Sequence, residues 1–155
     1  MADAGLDHLA PWLEGYLQRL KPAERRKLTR KLAKALRDRN AKRIRDNMQP
    51  DGTPMEPRKS QRDRRGRLRK RKARMFPKAA LARNLRGVAR TDEVVVSFRP
   101  LIQRTAEVHH FGEEAPVDPR IRNSIRVRYA ARRLLGLSEE DMSAIEDETL
   151  ELLDR

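Results

Sequence analysis

Residues 93–98, Glu-Val-Val-Val-Ser-Phe, decide the fold class. Three consecutive β-branched valines favour a pleated, packed setting over a helix, and Thr91-Asp92 just before them suits a tight turn. The spacing therefore predicts a hairpin in which Leu85–Ala89 is the partner strand. Further along, Ile125, Val127 and Tyr129 alternate with Arg126 and Arg128, the pattern of a half-buried strand. Helical patterns flank these strands on both sides. The chain reads as α+β: a small antiparallel sheet with a long N-terminal helical region and a C-terminal helix.

Working outward to the N-terminus, Leu6, Leu9, Leu13, Tyr16, Leu17 and Leu20 form a stripe at helical spacing, with Pro11 in the first turn. A second helix opens at Pro22, with Glu24 in its first turn, and is predicted to run to Met48. Its apolar positions, Leu28, Leu32, Leu36, Ile44 and Met48, advance mostly in steps of four. On a helix of 3.6 residues per turn each such step drifts by roughly 40°, so the stripe winds around the axis. Two readings follow: a long helix whose ends touch different things, or one whose second half is solvated while Ile44 caps a small core.

Beyond residues 49–57, whose Asp51-Gly52 and three prolines mark a loop, Met75–Arg86 reads either as a short helix or as the lead into a strand. Leu101–Phe111 is predicted as a short helix closed by Gly112, residues 113–123 as a loop. The last segment carries the best local signature. Ser138 stands as N-cap with Asp141 three residues on, and Leu137 and Met142 are placed to clamp the helix entry. Met142, Ile145, Thr149, Leu152 and Leu153 then share one face. The chain divides into a helical region at 1–48, a basic loop at 49–76, an α+β core at 77–137 and a C-terminal helix at 138–155, all in one domain 1–155.

Charge is distributed unevenly. Residues 58–74 hold eleven basic side chains and one acid, Asp63, which supplies +10 of the formal net +14. The cations are Arg58, Lys59, Arg62, Arg64, Arg65, Arg67, Arg69, Lys70, Arg71, Lys72 and Arg74. A segment this charged, with Leu68 as its only sizeable apolar residue, cannot bury itself against a core. It is expected to be a solvated arm, disordered in the free subunit, that orders against an acidic protein surface or against DNA. Arg19–Arg45 carries a net +11, whereas Ser138–Arg155 has eight acids against one Arg. That opposition implies either head-to-tail contacts between copies or internal pairing.

No catalytic constellation emerges. The chain has no cysteine, which excludes disulfides and thiolate chemistry. His109 and His110 are adjacent and point in different directions, so they do not chelate one metal together. No phosphate loop, nucleophile elbow or dinucleotide fingerprint is present. The reading is non-enzymatic, with no metal and no cofactor. No apolar run approaches the roughly 20 residues of a membrane span, and the N-terminus lacks the basic cluster of a secretory signal, so a soluble product made in the cytosol is expected. The alternative function is sequence-independent nucleic-acid binding through the arm. It lacks the interleaved aromatics that stack on bases.

Several segments in order resemble the phage virion morphogenesis family, the tail completion proteins of contractile-tailed temperate phages. These are residues 20–59 with their DGTPMEPRK ending, KARMF at 72–76, VHHFG at 108–112 and YAARRLLGLSEEDM at 129–142. One departure is Ala131-Arg132-Arg133, where the family pattern has Ala-Arg-Pro. The resemblance implies a neck- or tail-terminator-like α+β fold and a structural virion protein at the head-proximal end of the tail. Expected partners are further copies in a hexameric ring, the tail tube, sheath or terminator, and the neck or head-completion proteins. Non-specific contact with DNA in the bore is a further expectation.

Overall fold

The computed structural model describes residues 11–15, 18–59, 65–67 and 75–154. A helical stretch at 11–15 precedes α1 (Pro22–Arg45). There follow β1 (Leu85–Ala89), β2 (Val94–Phe98), α2 (Pro100–Phe111), β3 (Glu114–Pro116), β4 (Arg126–Arg128) and α3 (Glu139–Leu153). The architecture is α+β. Its antiparallel strands form two separate two-stranded sheets, β1–β2 and β3–β4, where a single small sheet was expected.

Helix α1 is the spine. Pro22 starts it, and the Lys21 amide donates to the Glu24 carboxylate at 2.9 Å, satisfying one orphan group of the first turn. It ends at Arg45, three residues before the predicted Met48. Asn47 takes the left-handed conformation with φ 56°, which asparagine tolerates, and Met48 bridges to Pro54. The winding stripe has the consequence its geometry requires. Leu28, Leu32 and Leu36 pack with Ile145, Val94 and Val96 in one apolar cluster. Ala41 and Ile44 lie in another, with Met55, Leu85, Ala106 and Leu134. The two ends touch different things, both within the same chain, and Ile44 has no exposed surface.

The β1–β2 hairpin has the expected partners, in register from Leu85 with Phe98 to Ala89 with Val94. It lies so close to α1 that a Cβ on Gly87 would sit 2.3 Å from the Ala33 carbonyl oxygen. Residues 77–84 form turns leading into β1, so the helical alternative for KAALARNL is not taken. Helix α2 begins at Pro100 and is closed by Gly112 at φ 71°. The predicted loop 113–123 is partly strand, because Glu114–Pro116 pairs with Arg126–Arg128. Within the predicted strand near Tyr129, Val127 is half-buried but Ile125 is 77% exposed.

The basic front and acidic tail meet inside the subunit. Asp141, with no exposed surface, accepts from Arg39 Nε at 2.7 Å, Arg43 Nη1 at 2.6 Å and the Ser138 amide at 3.0 Å. The Asp141 amide donates back to Ser138 Oγ at 3.2 Å, completing the capping box. Burial on its own raises the Asp141 carboxyl. The Ser138 amide and the two guanidinium groups outweigh it and hold the group below the usual carboxylate range. Lys31 pairs with Glu148 and Glu151, and Arg25 reaches Asp92 at 2.6 Å.

At the C-terminal end of α2 the two histidines diverge. His110 Nδ1 accepts from the Leu134 amide at 3.2 Å. His109 lies edge-on to Phe76 and Tyr129, with ring centroids 5.0 and 4.7 Å away. Burial lowers both histidines, and the charges of Arg132 and Arg58 lower His109 further.

Three outcomes are expected. Asp141→Ala removes a fully buried carboxylate from two partly exposed guanidinium groups and should cost about 1–3 kcal/mol in urea unfolding. Gly87→Ala drives a methyl group into backbone and should cost about 1–3 kcal/mol. Neutral histidines in the folded state bind fewer protons than the unfolded chain, so stability should fall as pH drops below about 6.5. The Asp141 contribution should persist to lower pH and be lost below about 3.9. In a pH series of melting temperatures, Asp141→Asn should shrink the acid step, to which Asp51 also contributes, and keep the step near neutrality.

Candidate interaction surface

The basic arm leaves the body from a built platform. After α1 the chain turns back on itself. Gln49 N donates to Thr53 O at 2.8 Å, Met55 N to Asn47 O at 2.7 Å, and buried Met55 anchors the loop. Asp51 accepts from the Thr53 hydroxyl at 2.6 Å and the Thr53 amide at 2.9 Å, bonds that hold its carboxyl below the usual range. The turn signal read from Asp51-Gly52 is thus a closed local structure, with Gly52 at φ 81°.

Both ends of the arm are fastened together. The Arg58 guanidinium donates to Met75 O, and the Met75 amide donates to Asn47 Oδ1 at 3.1 Å. The two residues that flank 59–74, Arg58 and Met75, therefore lie together. Arg58 and Lys59 are exposed at this root, as are Arg65 and Arg67. Arg62, Arg64, Arg69, Lys70, Arg71, Lys72 and Arg74 lie outside the described residues, so the structure bears on only part of the arm.

Beneath the root sits Arg132, 6% exposed. Its Nε donates to Glu56 O at 2.6 Å, Nη2 to Pro57 O at 3.1 Å and Nη1 to Ala130 O at 3.4 Å. Burial lowers its pKa, yet a guanidinium stays charged in a protein. An all-carbonyl cradle for a buried cation holds the loop 54–57 against the segment 130–137. The Arg133 amide adds a bond to Gln49 Oε1 at 3.0 Å. A proline at 133 has no amide proton to make that bond, so the departure at Ala131-Arg132-Arg133 has a structural use. Gly136 completes the seam: its amide donates to Asn40 Oδ1 at 3.2 Å, and a Cβ there would lie 2.7 Å from Pro50 Cγ.

The two segments that carry the family resemblance most strongly, DGTPMEPRK and ARRLLGLS, are thus brought together by the fold. Sequence reasoning picked out both without seeing that they touch. The pairing depends on a buried Arg, which spacing alone does not distinguish from the surface arginines around it. Among the described residues no group of three or more His, Asp or Glu is placed to hold a metal, and no helix is long and apolar enough to cross a membrane.

Residues 5–154 match the phage virion morphogenesis family. The chain is also 36% identical over 148 residues to the tail completion protein S of Escherichia phage P2, which covers 92% of this chain and 93% of that protein. No solved structure matches. By the extent of the family match, the chain belongs to the phage virion morphogenesis family.

Proposed function

We propose that the protein is a structural component of the phage virion that completes the tail at its head-proximal end and permits head–tail joining. The observation that carries this reading is the likeness to the P2 tail completion protein over nearly the whole of both chains. A non-enzymatic role agrees with that family and with a site built from turns, caps and carbonyl-held arginines. The protein acts as a homo-oligomeric ring, hexameric in the simplest arrangement, made in the host cytoplasm and carried into the virion at the tail–neck junction.

The arm is the docking element. The residues that flank it are joined, Arg58 to the Met75 carbonyl and the Met75 amide to Asn47. The eleven basic residues from Arg58 to Arg74 meet an acidic surface of the tube, the sheath or terminator, or a neck protein. Such docking is fast and weakens with salt. DNA in the bore is a second partner for the same charge, without sequence preference.

Neutralising Arg64, Arg65, Arg69, Lys70, Arg71 and Lys72 to Gln should leave circular dichroism and thermal unfolding unchanged. The variant should fail to restore infectious titre in a lysate that lacks the protein. Wild-type titre from it would remove the arm from the mechanism. In a gel-shift salt series the intact protein should bind DNA only weakly and without preference, the binding fading at physiological salt. Retained sequence preference there would favour nucleic-acid binding as the primary role.

A further inference from the structure

The β3–β4 hairpin departs from the rest of the fold in three ways. First, Val117, Ile121 and Ile125 are 61%, 58% and 77% exposed. They sit close together: the Val117 amide donates to Ile125 O at 2.9 Å, and Ser124 N to Ile121 O at 3.1 Å. Second, among the described residues the hydrogen bonds and ion pairs of 115–128 stay within the hairpin and its root. Asp118 and Ser124 close the tip, Arg126 pairs with Glu114, and the body is reached only through Glu113 and Tyr129. Third, it is a two-stranded sheet of three-residue strands. An isolated two-stranded hairpin is marginal in water, and clustered exposed apolar side chains mark an interaction site. An element of this kind is completed by a partner.

The charges around it select the partner. Arg120, Arg122 and Arg128 are exposed and make no ion pair among the described residues, whereas Arg126 is matched by Glu114. The complementary surface is on α3. Three of its acids, Asp141, Glu148 and Glu151, pair closely with Arg39, Arg43 and Lys31, while Glu140 is 89% exposed and lies 4.0 Å from Arg39. The other four, Glu139, Glu146, Asp147 and Asp154, are exposed and face away from those cations. Leu150, 42% exposed, lies among them at helical spacing. One surface is apolar with a basic rim, and the other is acidic with an apolar centre. No hydrogen bond or ion pair joins them within the chain among the described residues.

We propose that the β3–β4 hairpin docks on the outer face of α3 of a second copy of this chain, with Ile121 and Ile125 against Leu150 and the free arginines against Glu146, Asp147 and Asp154. Two different patches of one chain make a heterologous, head-to-tail contact, the kind that closes into a ring when the rotation permits. This rests on the ring reading above and specifies its interface. It assigns subunit contact to the hairpin, leaving the arm for other partners.

The test uses the full chain in a lysate whose own copy carries a nonsense mutation. Arg120→Glu, Arg122→Glu and Arg128→Glu together should abolish infectious titre, and so should Glu146→Arg, Asp147→Arg and Asp154→Arg together. Each protein should keep its melting temperature. The six-fold swap should recover titre. Full titre from either triple variant, or a folded six-fold variant that stays inactive, overturns the proposal. Because the chain has no cysteine, Ile121→Cys with Leu150→Cys gives a second readout on the particles. Oxidation should yield a ladder of cross-linked subunits that single-cysteine controls lack, and infectious particles without that ladder would also overturn it. Normal titre from the uncomplemented lysate is a separate result, which counts against tail completion itself.

Discussion

The winding of one apolar stripe around α1 is the constraint on which the rest of the structure depends. Leucines at 28, 32 and 36 face α3 and β2, and by Ile44 the drift has carried the apolar side round to β1, α2 and the 130s segment. A straight stripe would serve one neighbour and leave the other cluster without a wall. Two small clusters, each too modest for a stable domain alone, thus share one helix as a common side. The close approach at Gly87 lays β1 against the Ala33 backbone, and Leu85 of the same strand enters the second cluster.

Charge does the remaining work, with opposite signs in two places. Around Asp141 a buried carboxylate gathers two guanidinium groups of α1 and fixes α3 at a defined register along the spine. Around Arg132 a buried cation gathers carbonyl oxygens and fixes the arm's platform to the segment before α3. Both arrangements join segments distant in sequence through groups whose loss leaves an uncompensated charge or orphaned carbonyls. Among the described residues, the β3–β4 hairpin keeps its apolar side chains Val117, Ile121 and Ile125 exposed.

Features that were legible in the sequence are those whose signal is local. Val94–Val96 with the preceding turn gave the hairpin and its partner strand, Ser138 with Asp141 gave the capping box, and Gly112 gave the end of α2. The drifting stripe left two readings for α1, and the packing of its two ends into separate clusters of the same chain decided between them. The second sheet was partly missed because Glu114-Ala115-Pro116 is too short and too poor in β-branched residues to register as a strand. Which of the α3 acids pair with the cations of α1 was also hidden. Eight acids on one helix look alike until α1 is placed beside them. Of the arm, the composition was legible and the pinning of its ends was not, since Arg58 and Met75 meet only after the loop at 46–57 has formed.

A body of this size with no metal or cofactor called for by its sequence, belonging to a virion morphogenesis family, is best understood by what fails when it is missing. The most direct measurement is negative-stain microscopy of a lysate in which this gene carries a nonsense mutation, with a complementing copy as the control. The account predicts DNA-filled heads beside unattached tails, with joined particles restored by the complementing copy. Normal joined virions in the absence of the protein would contradict it.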